Sequence, residues 1–272
     1  MVIVTSFLSD REKKISKEFD DNGYIVKDIK DLKSLGIIRN TFIKSIKKNI
    51  NSPAYKKVEN DEDLLNSIHK KVKPEKLNGF RMQIISDINK NKDLRKLYYQ
   101  ISREYLDVLL GNELSMQLRI NLSIQLPKDN SSLLPLHSDV WSGDSPYETV
   151  VWLPLVDCYK TKAMYILPPK KYGKLKSVFL KEKNASSDKI FNRIKKDLKW
   201  IKIKYGQVLI FNQCLPHGNV VNKETETRWS LNCRFKGVFS PYNDKKLGEF
   251  FEPISLRKIS ELAINYKLPK IK

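Results

Sequence analysis

Met116-Gln117-Leu118-Arg119-Ile120-Asn121-Leu122-Ser123-Ile124-Gln125-Leu126 carries an apolar side chain at every even position and a polar one at every odd position. A period of two predicts a strand with one face on a packed layer and the other on water or a cavity. The polar face, Arg119, Asn121, Ser123 and Gln125, therefore lines either a site or ordinary solvent-facing surface. The same alternation returns at 228–237, where Arg228, Ser230, Asn232, Arg234 and Lys236 interleave with Trp229, Leu231, Cys233, Phe235 and Gly237. Between these runs, 148–155, 164–169, 201–205 and 208–211 read as further short strands.

Upstream the period is helical. Ser9-Asp10-Arg11-Glu12 has capping-box spacing, and Asn22-Gly23 closes that first helix. Longer helices are predicted over 31–50, stopped by Asn51-Ser52-Pro53, and over 93–110, with Gly111 as its cap; smaller ones fall at 61–69 and 74–89. Helices first and short strands afterwards predict a mainly β, α+β fold: a jelly roll buttressed on one sheet by N-terminal helices. The chain reads as one domain over 1–272. Residues 1–112 form the helical buttress, 113–240 the β core with a lysine-rich insertion at 170–200, and 241–272 a basic tail, partly helical over 254–266. The insertion is a solvated excursion or a lid, with an amphipathic helix at 187–199.

Composition narrows the class. Fifty-one Lys and Arg against 31 Asp and Glu give a formal charge of +20, which attracts anions from a distance without recognising any one of them. Lysine is spread along the whole chain, as an AT-rich genome would also write it. No basic stripe interleaved with stacking aromatics argues for nucleic acid, so an acidic small molecule ranks above it. Three cysteines without a Cys-x-x-Cys pair predict reduced thiols in a cytoplasm. Val2-Ile3-Val4 is too short for a signal peptide, and no apolar run approaches bilayer length.

The chemistry-bearing residues are few. His137 and Asp139 are separated by one residue, and of the three histidines the others are His69 and His217. Two imidazoles and a carboxylate from separate strands can hold one face of an octahedral iron and leave the remaining positions open. Arg228 follows His217 on a strand. A guanidinium there can meet the buried distal carboxylate of a chelating keto diacid with two parallel hydrogen bonds, and Ser230, facing the same way, can add a third. Alternation places Arg234 on that face too, so the two arginines are interchangeable at this level.

His137-x-Asp139, His217 and Arg228-x-Ser230 resemble the phytanoyl-CoA-hydroxylase-like superfamily of 2-oxoglutarate/Fe(II) oxygenases. The runs His137-Ser138-Asp139-Val140-Trp141 and Val151-Trp152-Leu153-Pro154-Leu155-Val156-Asp157 look like its sporadic carbohydrate-cluster branch. The resemblance spans about 116–239. It implies a distorted double-stranded β-helix, cupin-like in shape, with Fe(II), 2-oxoglutarate and O2 as cofactor and co-substrates. It implies metal ligation by His137, Asp139 and His217, and 2-oxoglutarate binding by Arg228 and Ser230. It places Trp152 and an amide, Gln125 or Asn121, in the co-substrate pocket, with Asn219 where relatives often carry a serine. The implied activity is hydroxylation of a carbohydrate or sugar-derived, anionic metabolite. Arg119, Trp141 and Glu148 are the candidate substrate contacts, as an anion receptor, a stacking surface and a hydroxyl acceptor. Two other readings stay open. One is an AlkB-like nucleic-acid oxygenase, suggested by the spacing of Arg228 and Arg234; the other is a non-catalytic, metal-binding cupin-type protein.

Overall fold

The computed structural model describes residues 7–50, 60–181 and 186–269. The two alternating runs meet in it. A seven-stranded antiparallel sheet has the order β1 (Tyr24–Asp28), β7 (Gln207–Asn212), β4 (Glu148–Pro154), β9 (Arg228–Gly237), β2 (Leu114–Gln117) and β10 (Phe251–Ser255), with β3 (Asn121–Gln125) also paired to β9. A small second sheet is β6 (Lys199–Trp200), β5 (Tyr165–Ile166) and β8 (His217–Gly218).

The run 116–126 is two strands rather than the single one its pattern predicts. Met116 pairs with Phe235 and Asn121 with Asn232, so five steps on one strand match three on the other. The Leu118 amide donates to Phe250 O instead of to β9, and Leu118 and Arg119 bulge out to solvent. Because the bulge holds two extra residues, the inward and outward faces stay in phase across it.

Apolar positions then sort by face. Leu122, Ile124, Val151, Leu153, Trp229, Leu231 and Phe235 pack against the helices through Phe42, Phe80, Ile84, Leu94 and Tyr98. The buried polar tips are satisfied: Trp229 Nε1 donates to Leu65 O at 2.8 Å and Tyr98 Oη to Val151 O at 2.9 Å. On the opposite face Val150, Trp152, Leu209 and Phe211 meet Met164, Ile166, Ile201 and Ile203 of the small-sheet layer. Sheet on sheet, with helices outside one layer, leaves a polar patch in the interior where β3 and β9 turn odd and even residues respectively toward the small sheet.

The helices follow their caps. Helix Asp10–Asn22 carries the full Ser9–Glu12 box and ends at Gly23 with φ 76°, and Asp31 caps helix Leu32–Asn49. Asn51-Ser52-Pro53 and Val2-Ile3-Val4 lie outside the described residues. The predicted helix 93–110 is two, Lys92–Gln100 and Arg103–Leu110. Ser102 Oγ donates back to the Tyr98 and Tyr99 carbonyls at 3.4 and 3.2 Å, a local bond that competes with the helical ladder. The insertion forms helices Tyr172–Lys181 and Ser187–Ile194, the first unseen in the sequence. Leu175, Ile190 and Ile194 bury against Leu136, the neighbour of His137. The tail contributes the edge strand β10, also unforeseen, and helix Lys258–Ile264. Among the described residues no helix is long and apolar enough to cross a membrane.

Candidate active site

His137 and His217 are brought together by backbone, not by side-chain attraction. Each donates its amide to the other's carbonyl, at 3.0 and 2.8 Å, as an isolated antiparallel bridge. Gly218 permits this close approach, since a Cβ there would stand 2.6 Å from Tyr165 Oη and 2.7 Å from Leu134 O. Asp139 opens a 3₁₀ turn, Asp139–Ser142, rather than lying on the extended segment its spacing suggested. Its amide donates to Gln213 O at 3.2 Å, and Ser138 Oγ bonds the Gln213 and Cys214 carbonyls. The turn is thereby stitched to the segment just ahead of His217.

The result is a triad whose ligand atoms all lie within 4.8 Å of one another, found among the described residues. Asp139 Oδ1 is 3.6 Å from His137 Nε2 and 4.0 Å from His217 Nε2. His137 Nδ1 lies 2.7 Å from Pro135 O, and His217 Nδ1 2.8 Å from Leu215 O. A carbonyl only accepts, so each Nδ1 carries a proton, which in a neutral ring turns the Nε2 lone pair toward the shared point. Burial pushes the His217 imidazole down to about 4, keeping it neutral at physiological pH. Two imidazoles and a carboxylate, with no cysteine among the described residues at the shared point, suit a divalent first-row ion such as Fe(II).

A cavity of about 240 Å³ opens on the triad, lined also by Asn121, Ser123, Trp152, Asn219, Arg228 and Asn232. Arg228 is 2% exposed. Its Nη2 donates to Ser123 Oγ at 3.0 Å, its Nε has no partner, and among the described residues no carboxylate pairs with it. Burial alone pulls its pKa below the usual guanidinium value. Ser230 Oγ and Gln125 Oε1 are likewise buried and unpartnered. Gln125 pairs with Arg228 across β3 and β9, and Ser123 with Ser230, so these groups share one face. Gln125 and Ser230 do not line the cavity surface, and Gln125 Nε2 is spent on Val220 O. Asn219 Oδ1 accepts from the Leu134 amide at 2.9 Å, which leaves its NH2 free for the cavity it lines.

Arg234, the alternative to Arg228, lines the same cavity but has an acidic partner: its Nη2 lies 3.0 Å from Asp139 Oδ2. The three candidate substrate contacts stand outside the cavity lining. Arg119 sits on the exposed bulge, which carried it away from the face its alternation implied. Glu148 is 3% exposed and accepts from Gln213 Nε2 and the Ser145 amide, so it is a buried partner of other side chains rather than a free acceptor. Trp141 is 44% exposed beside the site, edge-on to Phe179 of the insertion with centroids 5.5 Å apart. Asn232 lines the cavity and accepts from Asn121 Nδ2 at 3.0 Å; the alternation of β9 placed it on this face without marking a role. Gln213 and Asp144, both packed behind Asp139, carried no signal in the sequence.

No family model matches the chain, and no curated protein matches it. Solved structures do. The non-heme monooxygenase ThoJ in complex with nickel superposes with a TM-score of 0.55 at 12% identity, over 89% of this chain and 84% of that one. The non-heme α-ketoglutarate-dependent carbocyclase SnoK from nogalamycin biosynthesis gives 0.52 at 14% identity, over 92% and 97%. HygX from Streptomyces hygroscopicus, with nickel and 2-oxoglutarate bound, gives 0.51 at 11%, over 88% and 90%. Likeness at such identities speaks for architecture, and the architecture of this chain is the one that ThoJ, SnoK and HygX share.

Proposed function

We propose that the protein is a non-haem Fe(II)/2-oxoglutarate-dependent oxygenase, a single domain over 1–272 on a double-stranded β-helix core, that hydroxylates a small carbohydrate-type metabolite. One observation carries the reading: a fully buried arginine without an acid, in the same cavity as a His–Asp–His triad. A buried, unpaired charge is costly, and a dicarboxylate reaching from the triad to Arg228 answers it. HygX, whose structure holds nickel and 2-oxoglutarate, shares the fold in support.

In this scheme His137, Asp139 and His217 hold Fe(II) through two Nε2 atoms and Oδ1. Arg228 offers its fork, and Ser230 its hydroxyl, to the distal carboxylate of 2-oxoglutarate. Trp152, Asn121 and Asn219 shape the pocket around it, and Gln125 backs the wall. When bound, iron with 2-oxoglutarate and O2 supplies the oxidising power for C–H hydroxylation, leaving succinate and CO2. In this reading the keto diacid occupies the cavity of about 240 Å³ between the triad and Arg228, and the substrate meets the metal from the rim. Trp141 stands there as a stacking surface. The +20 charge favours an anionic substrate such as a phosphorylated or nucleotide-linked sugar.

The test is anaerobic addition of Fe(II) and 2-oxoglutarate, followed by visible absorption. A charge-transfer band that requires both, and that is absent in His137→Ala, is the expected result. Absence of the band together with no 2-oxoglutarate binding overturns the assignment. Succinate formation that responds to a sugar phosphate but not to an alkylated oligonucleotide separates this reading from the AlkB-like one, and succinate formation at all separates it from the non-catalytic one.

A further inference from the structure

Arg234 is held on each side that matters. Its Nη2 lies 3.0 Å from Asp139 Oδ2, its Nε donates to Gln213 Oε1 at 3.1 Å, and Asp144 Oδ1 stands 3.5 Å from that same Nε. Gln213 is itself unable to turn. Its Nε2 donates to Glu148 Oε2 at 2.9 Å and to Ser145 O at 2.8 Å; that carbonyl only accepts and the guanidinium only donates, so its oxygen faces Arg234. Glu148 Oε1 in turn accepts from the Ser145 amide at 3.1 Å. Gln213, Asp144, Ser145 and Glu148 are all buried.

We infer that Arg234 is a positioning residue for the metal: it occupies Oδ2 of Asp139, turns Oδ1 alone toward the two imidazoles, and is locked in register by the Gln213–Glu148 pair. The inference rests on the metal-site reading above. The torsion that rotates an aspartate carboxylate is soft and roughly two-fold, so without a partner on Oδ2 either oxygen can swing into the site. A guanidinium fork shared between Asp139 and Gln213 removes that freedom. The same geometry sets Arg234 apart from Arg228, since Arg234 Nε has Gln213 as acceptor and its Nη2 has Asp139 as ion-pair partner while Arg228 Nε has none.

Ni(II) titration of the metal-free protein tests this, followed by 2-oxoglutarate titration at saturating Ni(II) and by the visible spectrum with Co(II). Arg234→Met is expected to weaken Ni(II) binding about 10- to 100-fold, the range for loss of a group that orients a ligand. Its Co(II) spectrum changes, and its 2-oxoglutarate affinity at saturating Ni(II) stays at the wild-type value. Arg234→Lys recovers part of the loss, because an ammonium can meet Oδ2 but not Gln213 as well. Arg228→Met gives the reverse pattern, with metal retained and 2-oxoglutarate lost. If Arg234→Met fails to fold, Gln213→Met, which leaves the Asp139 contact in place, is expected to show a smaller loss of Ni(II) affinity with the same spectral change. Wild-type Ni(II) affinity and an unchanged Co(II) spectrum in these variants overturn the inference while leaving the metal site standing. A wild-type protein that binds no Ni(II) removes the metal reading and this inference with it.

Discussion

The two ends of one strand face behave in opposite ways. At the Arg234 end of β9, Arg234 donates to Gln213, Gln213 donates to Glu148, and the guanidinium is ion-paired with Asp139, with one buried atom, Asp144 Oδ1, left without a hydrogen bond though 3.5 Å from Arg234 Nε. At the Arg228 end, Arg228 Nε, Ser230 Oγ and Gln125 Oε1 are buried without partners, three of the six such side-chain atoms among the described residues. A buried polar atom left unpaired costs about 1–3 kcal/mol, and more when charged. Both arginines come from the same alternating sequence, so composition does not account for the contrast. On the proposed reading, the protein itself satisfies one end and a bound 2-oxoglutarate satisfies the other.

The largest effect expected is at the end the protein satisfies. On the proposed reading His217→Ala removes one of the three metal ligands, and Ni(II) titration should show no specific binding at all. Retention of tight binding would mean that the shared point of the triad is not where the ion sits. Next comes Arg228→Met at the open end. Removing one partner of a buried ion pair costs about 2–5 kcal/mol of binding, so 2-oxoglutarate affinity should fall by at least about 30-fold, read by calorimetry on Ni(II)-loaded protein. The ligand-free melting temperature should hold or rise, because an uncompensated buried charge is replaced by an apolar chain of similar volume. A melting temperature that drops steeply would show that Arg228 was satisfied within the protein, and the contrast between the two ends would collapse.

How far this contrast was legible depends on depth rather than on pattern. The alternation at 116–126 and 228–237 placed Asn121, Ser123, Arg228, Ser230 and Arg234 on one face, and the observed pairing of β3 with β9 keeps them there. It did not reveal the bulge at Leu118–Arg119, because two extra residues preserve the phase. It also did not rank the arginines: a period of two says which side a residue faces, while the neighbour it meets there comes from Asp139 and Gln213, far away in the chain. The His137–Asp139 spacing was readable because two ligands share one segment. The cross-chain bridge that delivers His217 is a backbone contact with no side-chain signature. The sequence likewise did not show that Glu148 is buried with Gln213 as its side-chain partner, since Gln213 lies 65 residues away in the chain.

A finer probe of the open end is Ser230→Ala. If its hydroxyl donates to the distal carboxylate, the loss is that of one hydrogen bond to a charged group, about 1.5 kcal/mol or roughly tenfold in 2-oxoglutarate affinity. Ni(II) affinity should not move, since Ser230 touches none of the three ligands. An unchanged 2-oxoglutarate affinity would leave Arg228 as the sole anchor and shrink the open end to one residue.

Arg119→Ala marks where the face ends, and it carries the smallest expected effect. Alternation alone assigns Arg119 to the same side as Asn121, yet the bulge exposes it and it does not line the cavity. Exposed substitutions of this kind shift stability within about 0.5 kcal/mol, and one positive charge removed from a net +20 barely alters the field that draws anions in. Thermal melting, Ni(II) affinity and 2-oxoglutarate affinity should all match the wild type. If instead 2-oxoglutarate binding weakened as it does in Arg228→Met, the strand would have to run straight through 118–120 in solution, Arg119 would return to the interior face, and the open end of β9 would have a second cation supplied from β3.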